Sequence, residues 1–288
     1  MHYLVLTTIA ILLWSSLASL VANLAHIPPF FLLAVTLLAG GSLSLRHVNK
    51  WQFNLKLLLV GVTGIFGYHC LLFLALRNAP PVSANLLNYL WPILILLLSP
   101  KIFPEISLKK RHYIGGITAF SGAVLVIYQP SEVISLMYVT GYLYAVFAAL
   151  IWALYSLLSK KITTFSSAMV GLFCLISGAL SLIVHFMLEL TPELTSVDIK
   201  KILMLGIGPM GIAFYCWDSA VKKGDPRIIA VLSYFTPLLS TLFLTLSTQQ
   251  TVSSQLLYAL VFISGGAIIA TIPSKGYWQR KGQHKEKN

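Results

Sequence analysis

Residues 75–92 read ALRNAPPVSANLLNYLWP, and residues 220–237 read AVKKGDPRIIAVLSYFTP. The two stretches align at a constant offset of 145 residues, through Ala75 and Ala220, Pro81 and Pro226, Tyr89 and Tyr234, and Pro92 and Pro237. In each stretch, a short turn with proline is followed eleven residues later by a second proline inside an apolar segment. A similarity of this kind between two parts of one chain predicts two structurally equivalent halves.

The composition around these stretches is that of a membrane protein. Of the 288 residues, 57% are hydrophobic and only 10% are charged, whereas a soluble domain carries about 25% charged residues. This excludes a disordered chain and an ordinary water-soluble enzyme. Segments long enough to span a bilayer, which takes about 20 apolar residues, lie at approximately 4–25, 29–45, 55–76, 82–98, 113–129, 138–159, 168–188, 202–221, 227–247 and 255–272. We expect an all-α integral membrane protein with ten transmembrane helices and no soluble domain.

The repeat divides these helices into two groups of five. The first predicted half is 3–129, the second is 138–272, and a basic tail occupies 273–288. Because five is odd, the second half must enter the membrane from the opposite side, which makes the repeat inverted. This architecture is typical of secondary transporters, whose substrate sites lie near the middle of the bilayer between the repeats.

The net charge of +12 is distributed unevenly between the two sides of the membrane. Of the 20 Lys and Arg residues, 17 lie in the connections that follow even-numbered helices or in the tail. The other three, on the opposite side, are Arg77, Lys200 and Lys201. Cytoplasmic loops are enriched in basic residues, so both termini are predicted to be cytoplasmic. The positive charge is therefore a topology signal for a multi-pass protein in a lipid bilayer, and we expect no binding of nucleic acid.

Prolines interrupt helices at equivalent places in the two halves. Pro92 is predicted to free the carbonyl of Asn88, and Pro237 that of Ser233, because proline removes a hydrogen bond to the residue four positions earlier. Broken backbone at membrane depth is tolerated where it faces protein or a water-filled cavity, and paired breaks in two repeats point to a transport site. A packing kink is the alternative.

One face of the fourth predicted helix is polar. Asn85, Asn88, Tyr89 and Pro92 follow the spacing i, i+3, i+4 and i+7, which places them in one stripe. Polar groups inside a membrane face the bundle interior or a cavity. Asn side chains also join helices by hydrogen bonds, so a cavity wall and a helix contact are both consistent with the stripe.

Several aromatic residues are predicted to lie deep in the membrane. They are Trp14, Tyr68, Tyr89, Trp91, Trp152, Tyr155, Tyr215, Trp217 and Tyr234. A cavity walled by such rings can stack an apolar or aromatic side chain and bind its polar end. For any one of these residues, ordinary core packing is an equally good explanation.

Three titratable residues fall inside predicted spans: His69, His185 and Asp218. Intramembrane ionisable groups are candidates for a functional role, and His69, the most central, could bind a carboxylate or exchange a proton. Asp218 precedes Lys222 by four residues, so a local ion pair also explains it.

Other chemical signatures are missing from the sequence. Its three cysteines show no metal-ligand spacing, and no metalloprotease, P-loop or nucleophile-elbow motif occurs. We therefore expect a non-enzymatic protein without metal or cofactor.

Taken as a set, several strings resemble one transporter family. The sequence is similar to the drug/metabolite transporter (DMT) superfamily over residues 3–273, in its ten-helix branch with two EamA-type halves. The strings NYLWP at 88–92, AFYCWD at 213–218, KGD at 223–225 and SYFTPLLST at 233–241 resemble its YddG-type aromatic amino-acid exporter subfamily. The resemblance implies a bacterial inner-membrane exporter that works by alternating access, with a central cavity lined by Trp14, His69, Tyr89, Trp91, Trp152 and Ser233.

The resulting hypothesis is a permease that exports aromatic or apolar amino acids, or related small metabolites. Efflux of planar hydrophobic drugs or cations, and a facilitator without ion coupling, are the alternatives. The predicted substrate-binding residues are Trp14, His69, Asn85, Asn88, Tyr89, Trp91, Trp152, Tyr155, Tyr215, Ser233 and Tyr234, with His69 and Asp218 as candidates for a proton or charge role. A monomer is compatible with this organisation.

Overall fold

The computed structural model describes residues 2–128, 136–162, 165–247 and 254–272, and the regular elements in these ranges are helices. The predicted tail 273–288 lies outside the described residues. The α-helices are α1 (His2–Ala22), α2 (Pro29–Ser42), α3 (Leu55–Val62), α4 (Tyr68–Asn78), α5 (Pro81–Asn88), α6 (Trp91–Ile102), α7 (Lys110–Ile127), α8 (Val139–Lys161), α9 (Met169–Leu188), α10 (Ser196–Ile207), α11 (Ala213–Lys223), α12 (Pro226–Leu232), α13 (Phe235–Ser247) and α14 (Ser254–Thr271). Short 3-10 helices occur at Leu45–Lys50 and Leu136–Tyr138.

The all-α membrane fold predicted from composition is confirmed. Among the described residues, eight helices or helix pairs are long and apolar enough to cross a membrane. The other two predicted spans correspond to α2, which has 14 residues, and α7, whose first turn begins with Lys110-Arg111-His112. Both are packed helices of the bundle, and for these two the count of ten spans stays a prediction.

Two spans contain a π-helical turn that the sequence analysis did not predict. Thr63–Gly67 joins α3 to α4, and Gly208–Ile212 joins α10 to α11, within the segments 55–76 and 202–221 that are predicted as spans. The two turns are separated by the same 145 residues as the proline motifs. A π turn inserts one extra residue into a helix and is frequently found at functional sites.

Two other spans are interrupted before their prolines. α5 ends at Asn88 and α12 ends at Leu232, each one short turn before the next helix begins. Pro92 is the second residue of α6 and Pro237 the third of α13, positions whose N–H groups have no partner within a helix. The carbonyl of Ser233, expected to be free, accepts a hydrogen bond from the Thr236 amide at 3.0 Å.

The helices pack in pairs that follow the repeat. α1 contacts α11 and α13, and α8, its counterpart in the second group, contacts α4 and α6. α2 packs on α9, and α7 packs on α14. The last pair is held close by glycine, because a Cβ on Gly115 would lie 2.6 Å from the Gly266 carbonyl oxygen. Small residues of this kind allow membrane helices to approach closely.

The bundle has two ends. We call the end at which α2, α6, α8, α11 and α14 finish the basic face, and the other end the opposite face. At the basic face, Arg227 Nη1 donates to the Ser107 carbonyl at 2.6 Å. At the opposite face, the Glu189 carboxylate accepts from the amides of Phe30 and Phe31, both at 3.1 Å, and so caps the start of α2.

Candidate functional site

A cavity of about 870 Å³ lies between residues of the two repeat stretches. Ala25, Arg77 and Pro81 line it at the opposite face and are themselves exposed, so the cavity reaches that face. This volume is within the range of small-molecule sites, about 300–1,000 Å³. Its aromatic and polar lining residues are Trp14, Thr36, Tyr68, His69, Phe73, Arg77, Asn85, Asn88, Tyr89, Trp91, Trp152, Phe214, Thr236, Ser240 and Thr241.

Tryptophan rings form the floor of the cavity. The ring of Trp14 lies 5.7 Å from that of Trp152 and 6.5 Å from that of Trp91, and both pairs meet edge to face. Behind them, the buried Trp217 lies 5.2 Å from Trp14 and donates from Nε1 to Ser156 Oγ at 3.0 Å. Edge-to-face contacts are favourable for aromatic rings. We call Trp14, Trp91 and Trp152 the tryptophan floor; it separates the cavity from the basic face.

The two π turns each hold one lining side chain in place. Trp14 Nε1 donates to the Pro209 carbonyl at 3.1 Å, and His69 Nδ1 lies 2.7 Å from the Ile65 carbonyl. Because a carbonyl can only accept, His69 Nδ1 carries the hydrogen. In the neutral ring Nε2 is then an acceptor. The backbone irregularities therefore orient the floor and the histidine that lies above it.

A polar wall adjoins the floor on α5. Asn88 Nδ2 donates to the hydroxyl of Tyr68 at 3.2 Å, while Asn88 Oδ1 is buried without a hydrogen-bond partner among the described residues. Asn85 on the same helix and Tyr89, directly after its end, also line the cavity. A buried unpaired acceptor costs free energy, and a ligand that donates a hydrogen bond would remove that cost.

Four of the predicted substrate-binding residues lie away from the cavity. The ring of Tyr155 packs against Gly64, where a Cβ would come within 2.3 Å of Tyr155 Cγ. The hydroxyl of Tyr215 donates to the Gly40 carbonyl at 3.1 Å. Both side chains thus join helices, and each faces a glycine that leaves room for it, since a Cβ on Gly171 would lie 2.5 Å from the Tyr215 hydroxyl.

The other two of these residues belong to the second broken helix. Ser233 is fully buried and its hydroxyl donates to the Ile229 carbonyl at 2.8 Å. Tyr234 is 1% exposed, and its ring lies 5.9 Å from that of Phe120. The break in this span therefore turns Ser233 and Tyr234 into the protein, while Thr236 and Pro237 line the cavity.

Asp218 also lies outside the cavity lining. Its Oδ2 forms an ion pair with Lys222 Nζ at 2.7 Å, and its Oδ1 accepts a hydrogen bond from Ser159 Oγ. Lys222 Nζ in turn lies 3.3 Å from the ring centroid of Phe165. The local ion pair considered from the sequence is present, and the carboxylate is neutralised between α8 and α11.

His185 is buried at the opposite face. Its Nδ1 lies 3.0 Å from the Glu189 carboxylate, and its Nε2 lies 3.3 Å from Thr191 Oγ1. Glu189 is the carboxylate that caps α2. This histidine is therefore part of a helix-capping network and does not line the cavity.

The sequence-based site omitted several lining residues, notably Tyr68, Phe73, Arg77 and Phe214. The repeat offset could have identified Phe214, which is 145 residues after His69 and follows the second π turn. Tyr68 begins α4 beside His69. No group of three or more His, Cys, Asp or Glu residues that could hold a metal ion occurs in the described ranges.

Comparison with known proteins agrees with this architecture. The sequence model of the EamA-like transporter family matches residues 1–128 and again 139–272. The chain is 38% identical over 272 residues to the "Aromatic amino acid exporter YddG" of Ancylobacter novellus, covering 91% of this chain and 94% of that protein. It is 26% identical to the exporter of the same name from Escherichia coli K12, covering 93% and 96%.

A solved structure has the same fold. It is described only as "Crystal structure of protein", superposes with a TM-score of 0.89 at 36% sequence identity, and covers 93% of this chain and 95% of its own.

Proposed function

The chain belongs to the EamA-like transporter family, and we propose that it exports aromatic or apolar amino acids, or related small metabolites, across the bacterial inner membrane. In this proposal the halves 3–129 and 138–272 have inverted orientations, both termini are cytoplasmic, and the basic face is the cytoplasmic one. The cavity then opens to the outside. Alternating access requires the two halves to rock about the tryptophan floor.

The observation that carries this proposal is the composition of the cavity. Three tryptophan rings close its inner end, and apolar side chains such as Leu33 and Leu72 form much of its wall. Such a surface fits an apolar or aromatic side chain. The acceptors Asn88 Oδ1 and His69 Nε2 fit the ammonium group of an amino acid. The names of the relatives support the same cargo.

The two alternatives differ in what the cavity offers them. A planar cation would stack on the rings, but no Asp or Glu occurs among the described lining residues to balance its charge. A facilitator without ion coupling is better supported, because Asp218 is paired with Lys222 away from the cavity. His69 is then the remaining candidate for coupling to protons.

The proposal is tested by measuring flux of labelled tryptophan from proteoliposomes that contain the purified protein. We expect saturable flux in which phenylalanine competes and threonine competes poorly. The replacements Trp14→Ala and Trp152→Ala should each lower the rate at least tenfold. Each removes an aromatic ring whose edge-to-face contacts contribute about 0.5–1.5 kcal/mol in addition to the free energy of burying its apolar area. Phe147→Ala is the matched control, since Phe147 is on α8 with Trp152 but points away from the core and is 52% exposed.

Unchanged flux in both tryptophan variants would overturn the aromatic floor as the substrate site. Saturable binding of a planar cation without tryptophan flux would favour drug efflux. An imposed pH gradient distinguishes a facilitator from a proton-coupled exporter. Flux that is unaffected by the gradient, and is equally fast in His69→Gln, identifies a facilitator. Flux that follows the gradient only while His69 is present identifies a proton-coupled exporter.

A further inference from the structure

Arg77 lies at the mouth of the cavity. It is in the last turn of α4, it is exposed, and its side chain is part of the cavity lining. The other lining residues in the described part of the chain include no Lys, Asp or Glu. A fixed positive charge on a low-dielectric wall raises the local concentration of anions and lowers that of cations.

The repeat shows why this charge is available to a ligand. Position 222, which is 145 residues after Arg77, carries Lys222, and position 218, which is 145 residues after Phe73, carries Asp218. In the second half these two residues pair at 2.7 Å. In the first half the acid is replaced by Phe73, whose ring packs on Phe30 at 5.6 Å.

The consequence is an asymmetry between two otherwise equivalent helices. α11 neutralises its cation internally, one turn away, whereas α4 carries an arginine at the same position without that carboxylate. No ion pair to Arg77 occurs within the described ranges. Among the described residues, the guanidinium group of Arg77 therefore has no ion-pair partner at the cavity mouth.

We propose that Arg77 binds the carboxylate of the cargo and selects carboxylate-bearing molecules over amines that lack one. The planar guanidinium offers paired N–H donors that match a carboxylate in geometry and charge. This inference rests in part on the proposed function, because it names the chemical class that the same cavity accepts. The inference assigns a role in selectivity to Arg77. The sequence alone places this residue only among the charges of the outer surface.

The binding test uses 3-phenylpropionate, which keeps the aromatic ring and the carboxylate but has no ammonium group. Its affinity is measured through the intrinsic tryptophan fluorescence of the purified protein, to which the three floor residues contribute. We expect Arg77→Gln to weaken binding about tenfold, the size of one charge-assisted hydrogen-bonded contact at a partly open site, and Arg77→Lys to weaken it less. Lys200→Gln is the matched control, because Lys200 is an exposed cation outside the cavity lining.

The transport test compares labelled phenylalanine with phenethylamine, its decarboxylated analogue, in proteoliposomes. We expect Arg77→Gln to lower the ratio of phenylalanine flux to phenethylamine flux about tenfold relative to the unmodified protein, with the ratio unchanged in Lys200→Gln. Thermal melting of each variant establishes that it is folded. A ratio and a 3-phenylpropionate affinity that are both unchanged in Arg77→Gln would overturn the inference.

The two proposals fail separately. If the unmodified protein moves no amino acid but binds 3-phenylpropionate in a manner that depends on Arg77, the proposed export is wrong and the carboxylate site stands. If the unmodified protein and the Arg77→Gln variant each transport phenylalanine and phenethylamine equally well, the proposed export stands and the proposed role of Arg77 is wrong. Absence of 3-phenylpropionate binding by the unmodified protein also overturns the carboxylate site.

Discussion

The side chain of Asn88 lies at the boundary between α5 and the cavity, with one of its two polar atoms unpaired. Nδ2 is bonded to Tyr68, but Oδ1 is buried without a partner in the part of the chain that the structure describes, and the residue is only 5% exposed. A buried unpaired acceptor costs about 1–3 kcal/mol. In the proposed function, the cargo supplies the missing donor.

The replacement Asn88→Leu should therefore stabilise the empty protein and impair the loaded one. Removing Oδ1 stabilises the protein by the desolvation cost of that atom, and losing the hydrogen bond to Tyr68 offsets part of this gain. We therefore expect the free energy of unfolding to rise by about 1 kcal/mol. Thermal melting with and without tryptophan measures both effects. The tryptophan-induced rise in melting temperature should shrink markedly.

Asn78→Leu is the control for this prediction, because Asn78 is exposed on α4 and its side chain donates to the Leu74 carbonyl of its own helix. It should change neither quantity by more than a few tenths of a kcal/mol. A lower melting temperature for Asn88→Leu in the empty protein, with an undiminished ligand shift, would assign Asn88 to helix packing.

Helical spacing predicted some lining residues well and others poorly. Asn85, Asn88 and Tyr89 are predicted on one stripe of a helix, and all three line the cavity. Tyr155 and Tyr234 are equally deep in the membrane but contact other helices. Depth in a span can be deduced from hydropathy, whereas the partner of a side chain depends on which distant residue faces it.

At the scale of helices, hydropathy located the spans but not their internal irregularities. The π turns at Thr63–Gly67 and Gly208–Ile212 are apolar and glycine-containing like the α-helices around them. A single extra residue in one turn shifts the helical phase of all later residues in the span, and nothing in the mean hydropathy changes with it. The proline motifs were detectable because proline lacks the amide that a continuous helix needs.

The break between α5 and α6 positions the polar wall above the tryptophan floor. Pro92 occupies the second position of α6, where its missing amide leaves no bond unsatisfied. Alanine at this position supplies an amide that can bond the carbonyl of Asn88 and so extend one helix through the break. Pro92 thus prevents α5 and α6 from merging.

We expect Pro92→Ala to lower tryptophan flux at least fivefold while leaving the melting temperature unchanged or higher, since one added backbone bond contributes about 1 kcal/mol. Flux in proteoliposomes at matched protein content measures the first effect and thermal melting the second. Pro100→Ala is the control, because Pro100 is also in α6 but does not line the cavity. Normal flux in Pro92→Ala would show that the break is only a packing kink.

At the scale of the whole molecule, the structure is closed at one end and open at the other. The tryptophan floor and the contacts of the basic face close one end, and the cavity reaches the opposite face. Two of the basic-face contacts join residues of different halves: Arg227 to the Ser107 carbonyl, and Arg111 to the Ile272 carbonyl. Under alternating access, these contacts must break before cargo can enter from the basic face.

Asp225 holds Arg227 in the orientation that this contact requires. Its carboxylate accepts from Arg227 Nε at 2.9 Å and from Nη2 at 2.6 Å, and it caps the first turn of α12. Burial raises the pKa of Asp225, but the hydrogen bonds from Arg227 outweigh burial and hold the pKa below its usual range. The stabilisation is therefore complete at neutral pH and is lost only as pH falls through that lowered pKa.

Arg227→Gln should consequently shift the population towards a conformation open at the basic face. Loss of one charged hydrogen bond corresponds to about a tenfold change in a two-state equilibrium. Spin labels at Glu105 and Lys161, which are exposed on different halves of the basic face, report the separation of the halves. We expect a new population at longer distance in Arg227→Gln but not in Lys223→Gln, which removes an exposed charge beside it. An unchanged distance distribution would show that the Arg227 contact is not needed to keep this end closed.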